Sequence, residues 1–248
     1  MNNPVVLVTG SGRRLGRQIL LAFHKRGDFD LVLNYHSSEE EANKTVDIIR
    51  SEGGRVIPIR ADVSDRKSVI RMMQIIEKEY GQLDIVVNNA AIFTRFKWDE
   101  IEDDAWNKII DTNLKSVFLC SQEGAKLILK TSGKGKIINI ASLGGLQAWK
   151  EHIHYSASKA GVLSLTRSFA RTLAPDITVN AVAPGTIIIE GEENKEIQHI
   201  NINKIPLHRY GQPSDITEVV LFLSTSASYI TGVTIPVDGG RSIDTRLS

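Results

Sequence analysis

Seven short runs rich in β-branched residues recur along the 248-residue chain with helix-length intervals between them, and no other feature restricts the fold as much. The runs cover residues 5–8, 31–33, 56–59, 85–87, 137–140, 178–182 and 233–235. They are mostly continuous in apolar character rather than alternating, the pattern of strands covered on both faces. The intervals predict helices over about 16–27, 39–52, 66–79, 103–130, 155–173 and 215–225, each long enough for a right-handed crossover between parallel neighbours. The expected architecture is a doubly wound α/β fold, a seven-stranded parallel sheet with helices on both faces, in a single domain over residues 1–248. The irregular stretch 186–211 is too long for an ordinary connection and is expected to be a substrate lid.

Charge and cysteine content narrow the classes of function. Thirty Lys and Arg nearly cancel 29 Asp and Glu, so no global field favours nucleic acid or an anionic membrane, and any anion has to be held by a local site. Cys120, the sole cysteine, excludes an intrachain disulfide and reads as a small buried apolar residue in a reducing compartment. Met1-Asn2-Asn3-Pro4 does not read as a signal peptide, and no window approaches the roughly 20 apolar residues of a membrane span. A cytoplasmic protein is expected. His24, His152, His154, His199 and His208 form no acid and nucleophile arrangement, are expected at the surface or at helix ends, and suggest no metal site.

After the first run comes Thr9-Gly10-Ser11-Gly12-Arg13-Arg14-Leu15-Gly16, then a helix with apolar residues at Leu15, Ile19, Leu20 and Phe23. Glycines there let the backbone turn sharply and approach a pyrophosphate, whose charge meets the N–H groups and dipole of a helix N-terminus. The spacing departs from the literal G-x-G-x-x-G fingerprint, so a tight turn with exposed arginines is the other reading of the loop. The second strand bears on the choice. A site for NAD carries an acid near its end to bind the ribose 2′-hydroxyl, whereas here Leu33-Asn34-Tyr35-His36-Ser37-Ser38 has none before Glu39. Hydroxyls, an imidazole and the guanidinium groups of Arg13 and Arg14 suit the 2′-phosphate of NADP(H) instead. Alternatively, Ser38 and Glu41 stand in capping-box spacing and simply start the next helix.

From Val5 to Gly240 the residues resemble the short-chain dehydrogenase/reductase superfamily of Rossmann-fold enzymes. Thr9-Gly10-x-x-x-Arg14-x-Gly16 is similar to its T-G-x-x-x-G-x-G motif, with arginine replacing the middle glycine, and Asp62-Val63 resembles the pair that contacts adenine. Asn88-Asn89-Ala90-Ala91 resembles N-N-A-G, and Pro184-Gly185 the turn beside the nicotinamide. Asn113, Ser142, Tyr155 and Lys159 match the catalytic tetrad. The resemblance implies that Tyr155 passes a proton to a substrate oxygen, that Ser142 holds that oxygen, that Lys159 also grips the nicotinamide ribose, and that Asn113 bends its helix and holds a water. Tyr155 and Lys159, four apart on a predicted helix, share one face, and a lysine cation close to a phenol favours the phenolate.

Two subgroups compete for the substrate. Overall similarity from Asn34 to Asp62 and from Pro213 to Gly240 resembles 3-oxoacyl-[acyl-carrier-protein] reductases. Arg14, the segment 34–38 and Phe93 resemble pteridine reductases, in which the phenylalanine stacks on the pterin; Ser142 and Ser37 depart from that pattern. A homotetramer or homodimer is expected from the resemblance and from the apolar segment Val219-Val220-Leu221-Phe222. A non-catalytic dinucleotide sensor is the rival reading from another class, and the complete tetrad speaks against it.

Overall fold

The computed structural model describes residues 3–189, 191 and 201–243. Seven strands, β1 (Val5–Val8), β2 (Asp30–Tyr35), β3 (Val56–Arg60), β4 (Ile85–Asn88), β5 (Gly135–Ile140), β6 (Ile177–Pro184) and β7 (Thr234–Val237), form one sheet in the order 3-2-1-4-5-6-7. Every neighbouring pair is parallel. Each residue of β1 is buried, and successive side chains enter opposite layers, as strand geometry demands. Val5 and Leu7 join Met72, Ile76, Val86 and Ile128 on one face. Val6 and Val8 join Ile19, Phe23, Ile49 and Ile216 on the other. This two-sided burial is why the strand sequences run apolar without alternation.

The crossovers are α1 (Arg14–Arg26), α2 (Glu39–Ser51), α3 (Arg66–Tyr80), α4 (Asp103–Ile110), α5 (Ser116–Thr131), α6 (Ile153–Leu173) and α7 (Pro213–Thr225). Caps account for the sharp starts of two of them: the Asp65 carboxylate accepts the Ser68 N–H at 2.8 Å before α3, and Gln212 with Asp215 forms a capping box around Pro213 at α7. The single helix expected over 103–130 is divided. A π-helical turn, Asp111–Lys115, joins α4 to α5 with Asn113 at its centre, a widening common at functional sites. The Ser38 capping box is not formed, since Ser38 precedes α2 without a side-chain cap bond.

The ends of the irregular stretch 186–211 are pinned together by Gly211 N–H to Thr186 O and Ile188 N–H to Gly211 O, both 2.9 Å. Residues 190 and 192–200 of the expected lid, His199 among them, lie outside the described residues. Cys120 is buried in the core, and burial pushes its thiol up to about 12. Among the described residues no helix is long and apolar enough to cross a membrane, and no cluster of His, Cys, Asp or Glu could hold a metal ion.

Candidate active site

Strand order reverses between β1 and β4, so their following loops part at the carboxyl end of the sheet and leave a crevice. The loop after β1 is fixed from both sides. Thr9 Oγ1 accepts the N–H groups of Asn89 (2.9 Å) and Ala90 (3.1 Å), and Asn89 Nδ2 donates to the carbonyls of Thr9 (3.0 Å) and Gly10 (3.2 Å). On the other side Asn34, buried at the end of β2, accepts the Gly10 N–H on Oδ1 at 3.1 Å and the Ser11 N–H on its carbonyl at 2.8 Å. Its Nδ2 donates to Ile59 O (3.3 Å) and Ala61 O (3.1 Å), which ties the loop to β3 as well.

Within this frame only glycine fits. Gly10 has φ +62°, and a Cβ there would lie 2.8 Å from Ala90 Cα. A Cβ on Gly16 would run into Asn89 Nδ2 and Gly10 O. Helix α1 begins with no side-chain cap and no acidic residue in its first turn, so its positive end suits an anion. The cradle therefore fits a dinucleotide pyrophosphate. Because one clash is with backbone and the other with an Asn89 amide already held by two carbonyls, Gly16→Ala is expected to cost about 1–3 kcal/mol and to weaken dinucleotide binding. Urea unfolding and a fluorescence titration with NADPH check both effects.

Arg14 occupies φ +52° at the position where the family motif has glycine, a conformation costing an L-residue roughly 1–2 kcal/mol. Arg13 and Arg14 are exposed, as are His36 and Ser37 just past the end of the adjacent β2. Leu15 turns inward against the core. Asp62 accepts the Ser64 N–H (2.9 Å) and hydroxyl (2.7 Å) in a local turn, and Val63 is buried beside it. Pro184 ends β6, and the Gly185 N–H donates to Val237 O at 2.9 Å.

Asn113 on the π-helical turn and Ser142 after β5 lie on segments that pack against α6, which carries Tyr155 and Lys159. The Asn113 side chain is fully engaged: Oδ1 accepts the Ile92 N–H at 2.8 Å, while Nδ2 donates to Ile92 O (2.9 Å) and Ser158 Oγ (3.3 Å). It thus pins the π-helical turn to the loop after β4 and to α6. Ser142 follows β5 and accepts the Gly144 N–H on Oγ at 3.0 Å, which leaves its hydroxyl hydrogen to donate elsewhere. The short turn after it packs on α6 so tightly that a Cβ on Gly145 would lie 2.7 Å from the Lys159 carbonyl carbon. Lys159 is 3% exposed, donates from Nζ to Ile140 O at 2.9 Å, and sits 5.9 Å from the Tyr155 ring centroid. Burial draws its ammonium down to about 8.

An aromatic wall stands around Tyr155. The Phe93 ring meets it edge-on at 4.7 Å, and Trp149 lies near-parallel to it at 6.1 Å and 17°. The His152 imidazole stacks on Phe93 at 4.4 Å and is held by the Thr94 carbonyl, 3.0 Å from Nδ1. Sequence reasoning found Phe93 but neither Trp149 nor the organising roles of Asn34, Thr9 and Thr94. His154 stands at the start of α6, a helix end as expected, but not at the surface: the imidazole is fully buried, 2.8 Å from Thr94 Oγ1, and burial lowers its pKa. His154 precedes Tyr155 on α6, and the 100° step between them turns it away from the cleft.

Comparison with known proteins places this geometry. A family model described as enoyl-(acyl carrier protein) reductase matches residues 10–242. The chain is 40% identical over 238 residues to the 3-oxoacyl-[acyl-carrier-protein] reductase FabG of Staphylococcus aureus strains Mu50 and MW2, covering 94% of this chain and 96% of each relative. A solved structure described as a short-chain alcohol dehydrogenase from Sinorhizobium meliloti 1021 superposes with a TM-score of 0.88 at 32% identity, over 97% of both chains. With the parallel sheet, the glycine cradle and these likenesses together, the chain belongs to the short-chain dehydrogenase/reductase superfamily and is an oxidoreductase of the type that acts on CH–OH and C=O groups.

Proposed function

We propose that the protein reduces a ketone, a 3-oxoacyl thioester or a similar carbonyl compound, with NADPH as cofactor and Tyr155 as the general acid. The observation that carries this reading is the buried Lys159 ammonium 5.9 Å from the Tyr155 ring, in a chain whose loop after β1 has no room for a Cβ at Gly10 or Gly16. Tyr155 gives its proton to the carbonyl oxygen, and the nearby ammonium stabilises the phenolate that remains. Ser142, its acceptor side engaged by Gly144, donates its hydrogen to the same oxygen and holds the carbonyl in register. Asn113 keeps the widened turn and the loop after β4 in place.

NADPH, when bound, supplies the hydride. The loop from Gly10 to Leu15 and the start of α1 would hold its pyrophosphate, and Arg13, Arg14, His36 and Ser37 its 2′-phosphate. Asp62 and Val63 would meet the adenine, and Asn89, Ala90, Pro184, Gly185 and Lys159 the nicotinamide side.

A second reading, dihydropterin reduction, is favoured by one observation: Phe93, His152 and Trp149 present flat faces and edges around Tyr155, which suit a planar heteroaromatic. Both readings are tested by following NADPH or NADH absorbance with a panel of acetoacetyl thioesters, activated ketones and dihydropterins. Turnover with NADPH on one class assigns the substrate. Tight NADPH binding without turnover on any member would instead favour a dinucleotide sensor. Arg13→Ala with Arg14→Ala is expected to weaken NADPH binding roughly 10- to 100-fold, the worth of one charge-assisted contact, and to leave NADH binding nearly unchanged. Equal losses for both cofactors would remove the assignment of the arginines to the 2′-phosphate.

A further inference from the structure

The Trp149 ring that lies along Tyr155 is supported from the far end of the chain. After β7 comes a short turn, Arg241–Ile243, fixed by the Asp238 carboxylate, which accepts the N–H groups of Gly240 (2.9 Å) and Ser242 (2.7 Å). Arg241 reaches from this turn to bring Cζ within 6.0 Å of the Trp149 ring centroid, and its Nη1 donates to Thr186 Oγ1 at 3.1 Å. The side chain is half-buried, and its Nε, shielded from solvent, makes no hydrogen bond among the described residues. Burial lowers the guanidinium from its ordinary value, with Asp238 acting in the opposite sense. On another side Gly144 makes room for the indole: a Cβ there would lie 3.0 Å from Trp149 Cε3.

We infer that Arg241 is a positioning residue for the substrate side of the cleft, holding Trp149 in place along Tyr155 and linking that wall to Thr186 just past β6. The inference rests on the reading of Tyr155 as the residue that faces substrate. A guanidinium can stack on the indole and donate to a hydroxyl at once, because its donors lie in one plane. A lysine ammonium, a point charge without that planar fork, makes the pair of contacts less well. Substituting the arginine should therefore loosen the wall while leaving the glycine cradle intact.

The primary test reads Trp149 directly. Trp98 is 77% and Trp106 39% exposed, so Trp98→Phe with Trp106→Phe leaves a folded protein with one emitter. In that background Arg241→Ala is expected to shift the emission to longer wavelength and to raise quenching by acrylamide. Thr186→Val moves both in the same direction by less, and Arg241→Lys restores them only in part. On an active substrate Arg241→Ala raises KM roughly 10-fold with a smaller change in kcat, the loss of one cation–ring contact, and has no effect when Trp149 is already alanine. Unchanged emission and quenching in a variant that still binds NADPH would overturn the inference, as would additive effects of Arg241→Ala and Trp149→Ala. Should Arg241→Ala fail to fold, Arg241→Lys and Thr186→Val decide by the same readouts. Full turnover by Tyr155→Phe would remove the reading of the acid, yet the fluorescence result would still report on the clasp.

Discussion

Tyr155→Phe is expected to reduce turnover about 10²- to 10⁴-fold, the usual contribution of a positioned general acid, while NADPH binds as before. The substitution is narrow in its effect. Phenylalanine keeps the ring that lies along Trp149 at 6.1 Å and meets Phe93 edge-on at 4.7 Å, so the aromatic wall and the packing of α6 stay as they are. Only the hydroxyl goes, and with it the proton that the substrate oxygen must receive. Because that interaction exists only as charge develops on the oxygen, kcat and kcat/KM should fall together and KM should move little. Steady-state kinetics on whichever substrate class responds, with thermal unfolding as a control for folding, gives the answer. A loss smaller than about tenfold would mean that the proton comes from elsewhere.

The fold was legible because the five inner strands are buried on both faces and run apolar for that reason, which a one-dimensional pattern records directly, while β3 and β7 at the sheet edges are only partly covered. The relation of Tyr155 to Lys159 was legible for an equally local cause, the one-turn spacing of a helix. What stayed hidden depends on contacts between residues far apart in the chain. Asn34 reads as a polar residue in a strand, and only the sheet order puts it between the loop after β1 and the backbone of β3. Trp149 and Arg241 are 92 positions apart and meet because β5 and β7 flank β6 in the sheet. The burial of His154 stayed hidden because a histidine at the start of a helix carries no sign of which way it faces. The π-helical turn was missed since apolar spacing barely changes across one widened turn, even though Asn113 marked the place.

The burial that lowers the Lys159 ammonium works against stability, and this separates the proposed function from the fold. The ammonium is drawn from an ordinary value of 10.5 to about 8 by desolvation. Between those two values the unfolded chain holds more protons than the folded one, so this residue makes stability rise with pH across the window from about 8 to 10.5. Below about 8 the folded protein carries the whole cost of the buried charge, on the order of 3 kcal/mol. Lys159→Met removes that cost but strips Ile140 O of its 2.9 Å partner, which itself costs about 1–3 kcal/mol. The two nearly cancel near neutrality, so a single measurement there decides little. The difference between wild type and variant is the informative quantity, since the other titrating groups are common to both. In urea unfolding without cofactor, wild type should gain about 3 kcal/mol on the variant as pH goes from 7 to 10.5. A flat difference across that range would show that the ammonium is not desolvated, and the buried cation beside Tyr155, on which the proton transfer depends, would have to be given up.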